Sequence, residues 1–156
     1  MVKLVEKKVG CAEALDLPKP ECRKGSIVLV AAAAIIDADG RVLVAQRPKG
    51  KSMAGLWEFP GGKVIEGETP EYALMRELEE ELGIETRPCC FSPVAFASHS
   101  YDDFHLLMPL YICRVWRGQP QTHEHQAIRW LRPPDLYSLA MPEADLPLIP
   151  MLEAVL

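Results

Sequence analysis

The chain has 156 residues, a formal net charge of −5 and 49% hydrophobic residues, the size of one ordinary domain with a core large enough to support itself. Its acidic balance argues against a nucleic-acid or anionic-membrane surface, and its longest apolar run, residues 27–36, is too short to span a bilayer. Five cysteines with no CxxC pair, and an amino terminus without a signal peptide's apolar stretch, predict reduced thiols in a cytoplasmic protein.

In chain order, residues 1–25 show little periodicity and end in the linker-like "DLPKPECRKG". They read as an amino-terminal arm, disordered or packed as an extra strand, ahead of a single domain over residues 26–156. "SIVLVAAAAIID" and "RVLVAQR", joined by Ala38-Asp39-Gly40, predict two strands in a hairpin. "LWEFPGGKVIE" reads as short strands interrupted at Pro60-Gly61-Gly62. A helix follows, with Thr69 as its cap, Pro70 as its first residue, Glu71 in the favourable first turn and Gly83 closing it in a left-handed conformation. "PVAFASHSY", "HLLMPLYICRV" and "QAIRWL" are three further strands, and Pro109 within the second suggests an edge or a bulge. Helices are expected around residues 134–139 and from Leu146 to the end.

The helix after Thr69 carries "RELEEELG", four glutamates in five positions. At about 100° per residue, Leu74, Leu78, Leu82 and Met75 form an apolar arc. Glu77, Glu80 and Glu81 fall in the adjacent arc, and Glu79 points to water. Three carboxylates at the border of a buried face would have raised pKa values unless a cation compensates, so a divalent metal is one answer and a solvated acidic stripe the other. Gly61 and Gly62, just before the helix, allow close backbone approach to a phosphate or a metal, and Lys63 follows them.

"GKVIEGETPEYALMRELEEELGI", residues 62–84, resembles the Nudix box at every fixed position. The resemblance implies an α/β (α+β) Nudix fold, an α/β/α sandwich with a mixed β-sheet, and hydrolysis of a nucleoside diphosphate linked to another moiety. It assigns Glu77, Glu80 and Glu81 to Mg²⁺, for which Mn²⁺ substitutes, with the Gly61 carbonyl as a further ligand. Arg76 orients a carboxylate, Glu68 supports the loop, and Gly62 and Lys63 lie against the substrate. Mg²⁺ takes oxygen ligands and keeps waters, so the chemistry agrees with the residue types. In "HEHQ", residues 123–126, Glu124 aligns with a glutamate outside the box used as metal ligand or base. The flanking His123 and His125 read as solvent-facing.

The similarity extends to "AQRPKGKSMAGLWEFPGGK", residues 45–63, which resembles the MutT branch. There the arginine after "AQ" contacts the nucleotide and the Glu-Phe before Pro-Gly-Gly lines the base pocket. Arg47 and Phe59 take these roles, with core packing the other reading of Phe59. "PEADLPLI", residues 142–149, resembles the base-reading segment, but Asp145 stands where an asparagine is expected. An ionised aspartate only accepts hydrogen bonds. It suits the N7 hydrogen of 8-oxoguanine or the N4 amino group of cytosine, and Asp145 is also placed to cap the last helix. Tyr101 is a candidate to stack on the base.

The resulting expectation is an 8-oxo-dGTP diphosphatase releasing monophosphate and pyrophosphate by attack of water at the β-phosphorus. A CTP or modified dCTP pyrophosphohydrolase is the alternative, and a non-catalytic nucleotide-binding module the third reading. The partner is a small nucleoside triphosphate, without nucleic acid or membrane, for a monomer or homodimer.

Overall fold

The computed structural model describes residues 10–22, 25–125 and 127–156. Strand β1 (Ser26–Ile35) lies in a four-stranded mixed sheet with β4 (Gly61–Lys63), β5 (Phe91–Ser100) and β6 (Phe104–Cys113), in the order β4-β1-β6-β5. β1 runs parallel to β6 and antiparallel to β4. A three-stranded antiparallel sheet, β3-β2-β7, is made of β2 (Val42–Gln46), β3 (Trp57–Glu58) and β7 (Ala127–Leu131). The helices are α1 (Cys11–Ala14), α2 (Pro70–Leu82) and α3 (Leu148–Glu153), with 3-10 turns at Pro88–Cys90 and Pro133–Ser138.

The expected sandwich follows from the period of two along β1. Ala31, Ala33 and Ile35 face one cluster with Leu43 and the α2 residues Leu74, Leu78 and Leu82. Ala32, Ala34 and Ile36 face the other, with Val42, Val44 and the α3 residues Leu148, Ile149 and Leu152. The run reads as continuously apolar because both faces are covered. Each fully buried leucine on α2 contributes about 1.5–3 kcal/mol of burial.

The expected hairpin is corrected. The turn forms, with Gly40 at φ 75°, but β1 and β2 share only the bridge Ile36–Val42 before entering different sheets. β4 and β6 occupy both edges of β1, while β3 and β7 occupy both edges of β2, so neither strand has an edge left for the other. Gly61 and Gly62 lie inside β4 and do not interrupt it.

Pro109 is also corrected: β6 is an inner strand, and Pro109 pairs with Phe96 of β5. On its other side the ladder passes from Leu29–Leu107 to Ala32–Leu110, a gap where proline has no N–H to give. The bulge falls in β5, between Pro93 and Ala95.

The arm's residues 1–9, 23 and 24 lie outside the described residues. Residues 10–22 are exposed throughout, and α1 buries none of its side chains. Among the described residues no helix is long and apolar enough to cross a membrane.

Candidate active site

Helix α2 is defined at both ends as the sequence predicts. Thr69 Oγ accepts from the Tyr72 N–H at 3.2 Å, Pro70 opens the helix, and Gly83 closes it at φ 68°. Arg76 then organises the carboxylates around it. Its Nε and Nη2 donate to Glu68 Oε2 and Oε1 at 2.8 and 2.9 Å. Its Nη1 donates to Glu77 Oε1 at 2.7 Å, and Nη2 reaches the Lys63 carbonyl at 3.2 Å. Glu68 in turn accepts from the Ile65 N–H at 2.8 Å, so the loop before the helix is tied to Arg76. The Arg76 hydrogen bonds, with the Ile65 amide, hold the Glu68 carboxyl down to about 2.

The three box glutamates differ more than the helical arc suggests. Glu80 is 53% exposed and 3.6 Å from Arg76, so it does not share the desolvation expected of all three. Glu80 lies about 60° to one side of Glu77, away from the leucine face, and Glu81 about 40° to the other, toward it. The Glu81 side chain is 12% exposed, and its Oε2 is buried with no hydrogen-bond partner. Burial, then the charges of Glu77 and Glu58 and, more weakly, Glu124, push it up to about 8 against the pull of the Gly61 N–H. Glu79 is exposed, as expected.

The two glycines sit at close approaches, Gly61 against backbone and Gly62 against a side chain. A methyl group on Gly62 would lie 2.3 Å from Glu77 Cδ, and one on Gly61 would lie 2.0 Å from the Ala31 carbonyl oxygen. Lys63 is exposed beside them.

An orphaned buried carboxylate oxygen among further carboxylates calls for a positive charge. Arg76 answers Glu77 and Glu68, and Arg47 answers Glu58, but among the described residues no arginine or lysine pairs with Glu81. The all-oxygen donor set fits a hard divalent cation. Among the described residues no three acidic, histidine or cysteine side chains are already gathered tightly enough to hold an ion, so these donors are adjacent rather than pre-gathered.

The segment leading to β7 is mounted on the end of α2. The Gln121 and His123 N–H groups donate to the carbonyls of Leu82 and Glu81 at 2.9 and 3.1 Å, satisfying helix-end acceptors. The His123 ring lies over Gly83, where a methyl group would meet its Cε1 at 2.6 Å. Glu124 is exposed, within electrostatic reach of Glu81. His125 is not solvent-facing: its side chain is 5% exposed, with Nε2 3.7 Å from Glu58 Oε1 and 3.9 Å from Glu81 Oε2. The remainder of the "HEHQ" motif, Gln126, lies outside the described residues.

Beyond Glu58 lies the end expected to read the base. Arg47 donates through Nη1 to Glu58 Oε2 and Oε1 at 2.9 and 3.2 Å, and through Nε to the Ser52 carbonyl at 2.8 Å. Phe59 is buried in the core beside α3, and its N–H donates to Asp145 Oδ2 at 3.3 Å. Asp145 therefore does not cap the last helix, whose N-cap is Pro147 without a side-chain bond. Its acceptor is turned inward to Phe59, leaving it 4% exposed. Burial and the Glu58 charge push Asp145 up to about 7, against the Phe59 N–H and Arg47.

Tyr101 packs between His99 and Phe104, with ring centroids 4.7 and 5.1 Å away. Burial and the nearby Asp145 charge raise its hydroxyl pKa. A cavity of about 590 Å³ opens beside Tyr101 and Phe104, and its lining includes Glu21, Asp102 and Asp103 but neither the box glutamates nor Asp145.

Two residues at the centre of this arrangement have roles that the sequence reading did not give them: Glu58 was placed only with Phe59 at the base pocket, and His125 was read as solvent-facing. Glu58 joins Arg47 to the acidic group, and its signal was a lone charge between Trp57 and Phe59 in a strand, which must face away from both. His125 gave no comparable signal, because its burial depends on how residues 118–125 dock onto α2.

A family model described as a NUDIX domain matches residues 31–151. A protein of Escherichia coli K12 named CTP pyrophosphohydrolase is 43% identical over 119 residues, covering 75% of this chain and 85% of its own. An 8-oxo-dGTP diphosphatase of Haemophilus influenzae is 38% identical over 130 residues, covering 79% and 89%. The crystal structure of a MutT NUDIX hydrolase from Burkholderia pseudomallei superposes with a TM-score of 0.71 at 33% identity, over 84% of this chain and 99% of that one.

Proposed function

The chain belongs to the NUDIX family, and we propose that this nucleotide pyrophosphohydrolase converts nucleoside triphosphates to monophosphate and pyrophosphate, with 8-oxo-dGTP as its foremost substrate. The observation that carries the reading is the placement of residues 58–62. At one end the Phe59 amide holds Asp145, and at the other Gly61 and Gly62 touch Glu81 and Glu77. One short segment thus links a polar group suited to a base with carboxylates suited to an ion and a phosphate chain.

A divalent ion, Mg²⁺ with Mn²⁺ as substitute, would be held by Glu81 with Glu77, Glu80, Glu124 and the Gly61 carbonyl, and would neutralise charge building on the phosphoryl oxygens. Arg76 fixes Glu77 and, through Glu68, the loop that presents the glycines. Arg47 and Lys63 are the cations available to the nucleotide. Among the described residues no arginine pairs with Glu124, so its exposed carboxylate is available either to the ion or, in place of that, to the proton of the attacking water. Asp145 reads the base edge, and Tyr101 supplies an aromatic surface beside it.

A second reading, hydrolysis of CTP or a modified dCTP, is favoured by the relative that is 43% identical and by the fit of an ionised carboxylate to the cytosine N4 amino group. The bond cleaved is tested by hydrolysis of 8-oxo-dGTP in ¹⁸O water with Mg²⁺. Release of pyrophosphate carrying the label is expected. Orthophosphate as the first product would contradict the reaction class, and label confined to the monophosphate would refute attack at the β-phosphorus.

A further inference from the structure

His125 has one nitrogen between two acidic groups and the other without a partner. Nε2 lies 3.7 Å from Glu58 Oε1 and 3.9 Å from Glu81 Oε2, on a side chain 5% exposed, while Nδ1 is buried and makes no hydrogen bond. An imidazole is a poor choice for filling space here, because an apolar side chain of similar size would leave no polar atom orphaned. Its mounting is equally specific. The Gln121 and His123 amides bond to the last carbonyls of α2, and the His123 ring packs on Gly83, which fixes the approach of the next residues to the site.

The carboxylates it faces belong to different ends of the site. Glu58 is held by Arg47 and adjoins Phe59, whose amide holds Asp145. Glu81 stands among Glu77 and Glu124 with no arginine or lysine of its own among the described residues. The two are near enough for the Glu58 charge to act on Glu81, and the His125 ring lies against both. We infer that His125 is a positioning residue: its buried imidazole, with Nε2 facing both carboxylates, sets the spacing of Glu58 and Glu81 and so couples the ion-holding end of the site to the nucleotide-holding end. The inference rests on the proposed divalent site and adds to it a residue that touches neither ion nor nucleotide.

The test compares the wild-type chain with His125→Leu, His125→Asn and His125→Gln. Mn²⁺ affinity is measured by calorimetry without nucleotide, KM and kcat with Mg²⁺, and melting temperature for each. Outer partners of metal-binding carboxylates typically change affinity by roughly 10–100-fold, so His125→Leu should weaken Mn²⁺ by that factor and raise KM for the nucleotide as well. Gln places an amide N–H near the Nε2 position and should recover most of both. Asn, whose donor is withdrawn by one bond, should resemble Leu, and it carries the comparison if Leu does not fold. Mn²⁺ affinity and KM within about twofold of wild type in both the Leu and Asn variants would overturn the inference, as would a Gln variant no better than either. A wild-type chain that binds no Mn²⁺ would remove the proposed divalent site, and the inference with it.

Discussion

Asp145 is the residue whose chemistry differs most between sequence and structure. Read as an exposed aspartate it is a fixed anion, but buried at 4% exposure beside Glu58 it titrates near 7. In its neutral form it both donates and accepts, as an asparagine does, and so can pair with O6 and the N7 hydrogen of 8-oxoguanine together. In its ionised form it only accepts, which leaves O6 without a donor but still suits the cytosine N4 amino group. The ratio of kcat/KM for 8-oxo-dGTP to that for CTP should therefore fall as pH rises through about 7, and Asp145→Asn should abolish that dependence. An unchanged pH profile in the Asn variant would show that Asp145 does not contact the base. Stability moves in the same sense. The folded state holds this proton more tightly than the unfolded chain, whose carboxyl titrates near 3.8, so Asp145's contribution is complete below that pH and is lost as pH rises to about 7. Urea midpoints across that range should show a shallower fall in Asp145→Asn. Glu81→Gln tests the other buried carboxylate. Removing a ligand to an ion worth several kcal/mol at the transition state should lower kcat by about 10³, with the fold retained by circular dichroism.

Among the elements, α2 was legible almost completely, because its signals are local: a Thr cap, a Pro at the first position, a leucine stripe and a Gly at the end. The β1–β2 hairpin was not, because two strands joined by a good turn can pair with each other or with distant partners. Here β4, β6, β3 and β7 took every edge. Pro109 misled for a related reason: proline marks a missing donor, and an inner strand tolerated it by a gap in one ladder. The glycines at the two ends of the loop and helix make separable predictions. Gly83→Ala forces an L-residue to φ 68° and a methyl group onto His123, which should cost about 1–2 kcal/mol of unfolding free energy by urea denaturation. Gly62→Ala meets the Glu77 carboxylate, a flexible side chain. It should leave stability nearly unchanged while weakening Mn²⁺ binding, and calorimetry that found wild-type affinity would place Glu77 outside the ion site.

At the scale of the molecule, β1 and β2, in different sheets, each face both apolar clusters, with α2 in one and α3 in the other, and the candidate site lies where residues 58–62 approach both helices. This layering was implied by the resemblance to a known family, and it accounts for the apolar run 27–36, which by sequence alone reads only as one strand of a hairpin. What the sequence did not expose was which charges meet: the pairing of Arg47 with Glu58 and the burial of His125 depend on long-range docking. Because Glu81 is left with an orphaned oxygen, ion binding should stabilise the whole domain. Titrating Mg²⁺ into EDTA-treated protein should raise its melting temperature in a concentration-dependent way and increase amide protection along α2, effects that Glu81→Gln should remove. The most direct test of the account is kcat/KM with Mg²⁺ on 8-oxo-dGTP, dGTP, CTP, dCTP and 5-methyl-dCTP side by side. Efficient hydrolysis with 8-oxo-dGTP preferred over dGTP by about a hundredfold or more, the upper end of what one good bidentate base contact supplies at about 1–3 kcal/mol, is the predicted result. Equal or better turnover of the cytosine nucleotides would contradict it and make the chain a pyrimidine nucleotide pyrophosphohydrolase.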